Sequence, residues 1–356
     1  MSRLIPSTAL ETLVRTIFRA SGSAEDEARD VAEHLVASNL VGHDSHGVLR
    51  VSKYIDWLGR GEVVANAPVT VVVDRGAFAL LDGGFGYGQV VGLRAMEQAI
   101  SRATQHGFAL VAIRNAAHLG RIGAWAEKLA EAGLVSVHFV NTSGYGILVA
   151  PHGGSDRRLS ANPVAAGAPN PTGAHYVLDM ATSMIAEGKI QIARNKGESL
   201  PPGAVLDGAG RPTTDPAAFY GPRPGAILPF GGHKGSGLSF FCEVLAGSLT
   251  GGHASNPESP TAGRLVNNML TMAFDPAAFG QIAGFDADLL ALTNWVKSSP
   301  PVDPGGAVLL PGEVEAATRD RRLREGIPID EITWKALVEA ARGLGVPLPE
   351  LECRGA

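Results

Sequence analysis

The hydrophobic period of this chain changes near residue 67, and that change constrains the fold more than any single motif. Before it, apolar residues recur at helical spacing: residues 8–20 open on the capping-box pattern Thr8-x-x-Glu11 and set Leu10, Leu13, Val14, Ile17 and Phe18 on one stripe. A second helix is predicted from Ser23 to about Leu40 through Val31, Leu35 and Val36, and a third after His46 through Val48, Val51, Ile55 and Leu58. From Val69 onward short strands alternate with helices: strands at Val69–Val73, Phe78–Leu81, Phe108–Ile113 and Leu134–Val140, helices over 88–105 and 121–132. Further along, the pattern predicts a strand end at Val177–Met180, a strand at Asn267–Phe274, and helices over Ser183–Arg194, Lys234–Leu249, 286–298, 314–325 and 330–344. Residues 197–225, rich in Gly and Pro, read as a long excursion that is functional or packs on a partner subunit.

The chemistry concentrates in Gly42-His43-Asp44-Ser45-His46-Gly47-Val48-Leu49-Arg50. Asp44 or Ser45 is placed to N-cap the following helix, which sets Arg50 in its first turn, four residues from His46. Free amides at a helix start and a guanidinium suit a carboxylate ligand, and an imidazole titrates near neutrality. Each residue also has a plainer reading. A histidine before a helix is often a cap, and His43-x-x-His46 is half a metal site with no Cys or His partner nearby, which ranks metal binding below acid–base use. Adjacent Ser45 and His46 point in different directions in either helix or strand, so their adjacency does not make a nucleophile pair.

Composition excludes several classes. The 356 residues carry a formal charge of −5 and contain no run of Lys and Arg, which argues against nucleic acid. Two cysteines, Cys242 and Cys353, lie far apart without CxxC spacing, which suits a reducing compartment and gives no structural zinc. The amphipathic N-terminus is not a signal peptide, and no apolar run reaches membrane-spanning length, so a cytoplasmic protein is expected. The 45 glycines are the outlier, and many cluster with polar residues where backbone approaches a ligand.

No standard nucleotide loop is present. Gly83-Gly84-Phe85-Gly86-Tyr87-Gly88 fails the GxGxxG spacing and reads as a hairpin-to-helix turn, and there is no GxxxxGK[ST] motif. Three other loops are candidates. Gly231-Gly232-His233-Lys234-Gly235-Ser236-Gly237 brings glycines and an ammonium to a helix start. Asp179-Met180-Ala181-Thr182-Ser183 leaves a strand, with N-capping as the plainer role of Thr182 or Ser183. Pro311-Gly312-Glu313 is a turn before a helix. His118, between a strand and a helix, is at a common address for a ligand residue, and equally common for a capping or buried histidine.

Taken in order along nearly the whole chain, these segments resemble the malate/L-lactate dehydrogenase family of the second type. They are Gly42–Gly47 with Arg50 and Tyr54, His118-x-Gly120-x-x-Gly123, Asn162-Pro163, Asp179–Ser183, Gly188-Lys189-Ile190, Pro229-x-Gly231-Gly232-x-Lys234-Gly235 and Pro311–Glu313. That family is unrelated to the Rossmann-fold dehydrogenases and includes sulfolactate, ureidoglycolate and diketogulonate oxidoreductases and cyclic ketimine reductases. The resemblance implies a mixed α/β (α+β), non-Rossmann fold with a largely antiparallel sheet, binding NAD or NADP, with NAD favoured. It implies a helical domain of residues 1–66 with 300–356, an α/β region of 67–299, and a homodimer.

Carried over by position, His46 is the acid/base, Ser45 assists it, and His118 lies in the substrate and nicotinamide region. Arg50 holds the substrate carboxylate, with Tyr54 and Lys189 beside it. Asn141, Thr142, Asp179, Met180, Ala181, Thr182, His233, Lys234, Gly235, Pro311, Gly312 and Glu313 line the cofactor. Some ketimine reductases of the family carry Asp in place of Lys189, which tilts the reading toward a small 2-hydroxy/2-oxo carboxylic acid and away from a cyclic imine, unless Lys189 is merely a solvated helix residue. A ketimine reductase and a catalytically silent dinucleotide-binding protein are the rival readings.

Overall fold

The computed structural model describes residues 2–348 other than 262 and 281, so Cys353 lies outside the described residues. A seven-stranded sheet runs in the order Thr70–Arg75, Phe78–Asp82, Phe108–Ala116, Leu265–Phe274, Val135–Gly144, Val164–Ala168, Tyr176–Met180. Phe78–Asp82 and Phe108–Ala116 pair in parallel and every other neighbour pairs antiparallel, which is the mixed, largely antiparallel sheet that was expected. A parallel pair needs a long crossover, supplied here by the helix Gly88–His106. That helix and Gly123–Glu131 bury Ala95, Met96, Ala99, Trp125, Ala126 and Leu129 with Ala109, Val111, Ile113, Met269 and Ala273 from the sheet.

The helical stripes of the N-terminus form as read. In Ser7–Ala20 the buried residues are Leu10, Leu13, Val14, Ile17 and Phe18. They join Val31, Leu35, Val36, Val51, Tyr54 and Trp57, and also Trp334, Leu337 and Ala341 from the far end of the chain, in one apolar cluster. A two-stranded antiparallel ribbon, Ser2–Ile5 against Ile327–Asp330, ties the two ends together. No helix among the described residues is long and apolar enough to cross a membrane.

Several local expectations are corrected. The first helix starts at Ser7 behind Pro6, with no side-chain cap, so the Thr8–Glu11 capping box does not form. Ser183–Arg194 is not one helix: Ser183 bridges to Pro229, the Met184 amide donates to the Leu228 carbonyl, and the helix begins at Glu187. Residues 197–225 are not structureless. Val205–Leu206, Pro212–Thr213 and Ala226–Ile227 form a small sheet that buries Val205, Phe219 and Ile227 with Ile190 of the helix Glu187–Lys196. The helix from His233 is regular only to Cys242 and widens into a π turn over Glu243–Ser248. The strand Val164–Ala168 carries little sequence signal because only Val164 of VAAGA is β-branched and none is aromatic; its small residues are required by close packing, since a Cβ on Gly167 would sit 2.6 Å from the Ala126 carbonyl oxygen.

Candidate active site

The Gly42–Arg50 segment does not open a single helix. Asp44–His46 and Val48–Arg50 are separate 3₁₀ turns, Gly47 between them is extended (φ −91°, ψ −152°), and the α-helix starts at Val51. The i,i+4 relation of His46 and Arg50 therefore fails, and neither Asp44 nor Ser45 caps a helix. Asp44 is instead a brace: it pairs with Arg322 at 2.7 Å and accepts from Asn39 Nδ2 at 2.6 Å, while Asn39 Oδ1 accepts the Val48 amide at 2.8 Å. The turns are thereby pinned between the helices Glu25–Leu40 and Glu313–Glu325.

Long-range packing then brings in the second histidine. His118 lies parallel to His46 in an offset stack, ring centroids 5.6 Å apart and planes 6° off parallel. Ser45 Oγ lies 3.1 Å from His46 Nδ1, and the Tyr54 hydroxyl lies 2.6 Å from His118 Nδ1. The loop carrying His118 is held from behind. The Asn267 side chain accepts the Leu119 amide at 2.9 Å, and Gly88 lies against the His118 backbone, where a Cβ would be 2.3 Å from the carbonyl oxygen. The last glycine of the Gly83–Gly88 turn thus serves close approach to His118, consistent with reading that turn as structural.

Both imidazoles are held neutral. Burial, then the charge of Arg50 and the neighbouring His43, His34 and Arg121, pushes His46 down to about 3 although the side chain keeps some exposure. Burial followed by Arg50 moves His118 well below the ordinary value of 6.5. Arg50 donates from Nε to the Ser45 carbonyl at 2.7 Å; among the described residues its terminal nitrogens have no protein partner and no carboxylate pairs with it. An unpaired guanidinium beside two neutral imidazoles is chemically able to hold a small carboxylate and exchange a proton with it.

The other expected residues divide. His43 turns away from His46 toward Glu315, 3.2 Å from Nε2, and Asp179, 3.8 Å from Nδ1, so the two histidines of the motif serve different partners. Asp179 accepts the Gly123 amide at 2.9 Å. Lys189 is exposed, one residue past Gly188, where a Cβ would lie 3.4 Å from Ser45 Cβ. Met180 and Ala181 are half-buried at the strand end, and His233 and Lys234 are exposed at the start of their helix. Gly235 is buried against Phe230 and Thr182. The Pro311–Glu313 turn docks on the edge strand, the Pro311 carbonyl accepting the Val177 amide at 3.2 Å, with Gly312 against the His175 carbonyl and Glu313 2.6 Å from Lys297.

Two of the expected cofactor residues turn their side chains inward. Asn141 is fully buried, with Nδ2 donating to Glu243 at 2.8 Å and Oδ1 accepting from Asn268 at 2.9 Å, so its side chain is consumed inside the protein. Thr182 is also fully buried, and both its amide and its hydroxyl donate to the Ala161 carbonyl; it is neither a cap nor a free hydroxyl. Thr142 remains half-buried, its hydroxyl accepting from Asn267. Tyr54, expected beside the substrate, is 2% exposed and directed to His118 and Gln89. Sequence reading missed Gln89, Asn267 and Asn39, each a polar residue in an otherwise ordinary helix or strand with no motif to mark it.

The buried histidines make stability pH-dependent. His138, inside the sheet between Thr271 and Ser136, is pushed by burial from 6.5 to about 3, as is His34 by burial and Arg121. Their folded values lie below the unfolded ones, so the unfolded chain binds more protons as pH falls; this stabilisation is complete above 6.5 and is lost on acidification toward 3. Each such histidine contributes a slope of about 1.4 kcal/mol per pH unit in that window. Thermal unfolding should show a falling midpoint below pH 6.5 and a shallower slope in His138→Gln; a midpoint flat through the window would contradict the burial argument.

The sequence matches the malate/L-lactate dehydrogenase family over residues 5–338. It is 42% identical to hydroxycarboxylate dehydrogenase B of Escherichia coli K12, covering 96% of this chain and 95% of that one. It is 38% identical to L-lactate dehydrogenase of Cupriavidus necator, covering 97% and 99%. Among solved structures, sulfolactate dehydrogenase from Methanocaldococcus jannaschii superposes with a TM-score of 0.88 at 33% identity, covering 97% of this chain and 98% of that one. Delta1-piperideine-2-carboxylate reductase from Pseudomonas syringae superposes with a TM-score of 0.83 at 33% identity, covering 95% and 100%.

Proposed function

The chain belongs to the malate/L-lactate dehydrogenase family, and we propose that it moves a hydride between a nicotinamide cofactor and a small 2-hydroxy/2-oxo carboxylic acid beside the stacked His46–His118 pair. The family relation makes it a dehydrogenase of hydroxy acids that uses a nicotinamide cofactor; the particular acid and the choice of NAD or NADP belong to the proposal, with NAD favoured. The observation that carries the reading is Arg50, whose terminal nitrogens have no protein partner beside two imidazoles held neutral. In it, Arg50 grips the substrate carboxylate, His46 takes or returns the hydroxyl proton, and Ser45 orients His46 through Nδ1.

The residues present fit a dinucleotide. Among the described residues the amides of Gly231 and His233 have no hydrogen-bond partner, and they stand with the exposed Lys234 ammonium at a helix start, which suits a phosphate. Lys234, His233, Met180, Ala181, Asp179 and the Pro311–Glu313 turn would hold the cofactor, which supplies the hydride when bound. The chain's own residues orient the acid, exclude water and handle the proton. A homodimer is part of the proposal, supported by the exposed Phe240, Phe241 and Leu249 on one helix and its extension; a sedimentation mass of one chain would remove it.

A second reading, reduction of a cyclic imine carboxylate, is favoured by the likeness to the piperideine-2-carboxylate reductase and uses the same carboxylate clamp. Parallel assays of lactate, malate and sulfolactate oxidation and of cyclic ketimine reduction, each with both cofactors, separate the two. Turnover confined to the ketimine would overturn the hydroxy-acid reading.

A further inference from the structure

We propose that Tyr54 and Gln89 are positioning residues that lock His118 as the neutral tautomer with its hydrogen on Nε2, so that His118 donates a hydrogen bond to the substrate while His46 handles the proton. The inference rests on the oxidoreductase reading of the His46–His118 pair, and it follows from counting hydrogens. The Tyr54 hydroxyl has two polar neighbours, His118 Nδ1 at 2.6 Å and Gln89 Nε2 at 3.0 Å. Tyr54 and Gln89 are 2% and 1% exposed, so bulk water does not reach them.

The orientation of the Gln89 amide follows from its other neighbour. The His118 carbonyl oxygen, 3.3 Å away, can only accept, which turns the amide nitrogen toward it although Gln89 Oε1 is then buried without a partner among the described residues, and that same nitrogen donates to the Tyr54 oxygen. The phenol hydrogen then has one acceptor within reach, His118 Nδ1. If Nδ1 carried a hydrogen, two N–H groups would converge on the phenol oxygen and the phenol hydrogen would be buried without a partner. The remaining arrangement leaves Nδ1 bare and places the hydrogen on Nε2.

Tyr54 engages Nδ1 of His118, which leaves Nε2 as the ring nitrogen without a protein partner among the described residues. A neutral imidazole N–H polarises a substrate oxygen without giving up its hydrogen, and the positive charges of Arg50 and Lys53 oppose any second proton on the ring. The two stacked histidines, alike in type and environment, thereby acquire different tasks. His46 meets a serine hydroxyl at Nδ1, which can donate or accept and so leaves its protonation free to change. His118 meets a phenol committed by Gln89 to donation.

Long-range ¹H–¹⁵N spectra of the labelled full chain, with His118 assigned by loss of its signals in His118→Gln, read the tautomer directly and need no turnover. The expected result is a single neutral form protonated at Nε2 across neutral pH; an Nδ1–H form or an imidazolium would overturn the proposal. In Tyr54→Phe the expected result is a mixture of tautomers with kcat lower by roughly tenfold, the worth of one hydrogen bond in the transition state, and with cofactor affinity and KM retained. An unchanged tautomer or an unchanged kcat in that variant also overturns it. If no acid is turned over, the oxidoreductase reading fails while the spectrum still decides the state of His118.

Discussion

His46→Ala is expected to lower kcat by roughly 10²–10⁴, the usual worth of a positioned acid/base, with cofactor affinity unchanged. The size follows from the surroundings of the ring. Ser45 engages Nδ1 and His118 lies parallel beside the ring, and with its value pushed down to about 3 the ring is neutral, with a lone pair available for a hydroxyl hydrogen but weakly basic until the acid binds. Arg50 is the largest depressing influence after burial. A bound substrate carboxylate neutralises that charge, so His46 should move upward when the acid binds, toward the range in which it returns the proton in the reduction direction. Stopped-flow turnover of the variant and pH profiles of kcat and kcat/KM measure both effects. Near-normal turnover in His46→Ala would transfer the proton role to His118 and with it contradict the fixed tautomer of His118.

Arg50→Lys is expected to raise KM for the acid by roughly tenfold to a hundredfold, in line with the loss of about 1.5–3 kcal/mol from charge-assisted hydrogen bonding, while kcat falls less. Lysine retains the charge but loses the planar fork, and with it the anchoring donation from Nε to the Ser45 carbonyl at 2.7 Å. Because that carbonyl belongs to the residue that orients His46, the variant also tests whether clamp and base share one support. Arg50→Ala should weaken the acid further and release His46 upward in pKa, since a positive neighbour is removed. Steady-state titration with the acid and NMR titration of His46 read these outcomes. A KM unchanged in Arg50→Ala would place the carboxylate elsewhere.

Much of the fold was legible where burial is one-sided. The stripe Leu10, Leu13, Val14, Ile17, Phe18 and the strands about Phe108 and Asn267 lie where periodicity put them, because a helix or strand with one buried face must repeat its apolar residues. The strand Val164–Ala168 was illegible because packing under the helix Gly123–Glu131 selects small residues that carry no strand signal. The site was legible as a set of residues and not as a geometry. His46 and Arg50 were read as lying on one helix, which the extended Gly47 interrupts. Asn141 and Thr182 belong to recognisable segments, yet their side chains turn inward to Glu243 and Ala161.

The sequence by itself determined which residue types are available and roughly where: an imidazole, a hydroxyl and a guanidinium within Ser45–Arg50, a second imidazole at His118, an ammonium at Lys234, and the family to which their order belongs. The tertiary structure decided which atoms meet. Tyr54 reaches His118 across 64 positions of chain, and Arg322 reaches Asp44 across 278. The reason is that periodicity encodes only which face of an element is buried, a local property. The partner of a buried hydrogen-bonding atom is set when distant elements pack, and that packing put the Tyr54 hydroxyl on His118 Nδ1 and left the terminal nitrogens of Arg50 without a protein partner among the described residues.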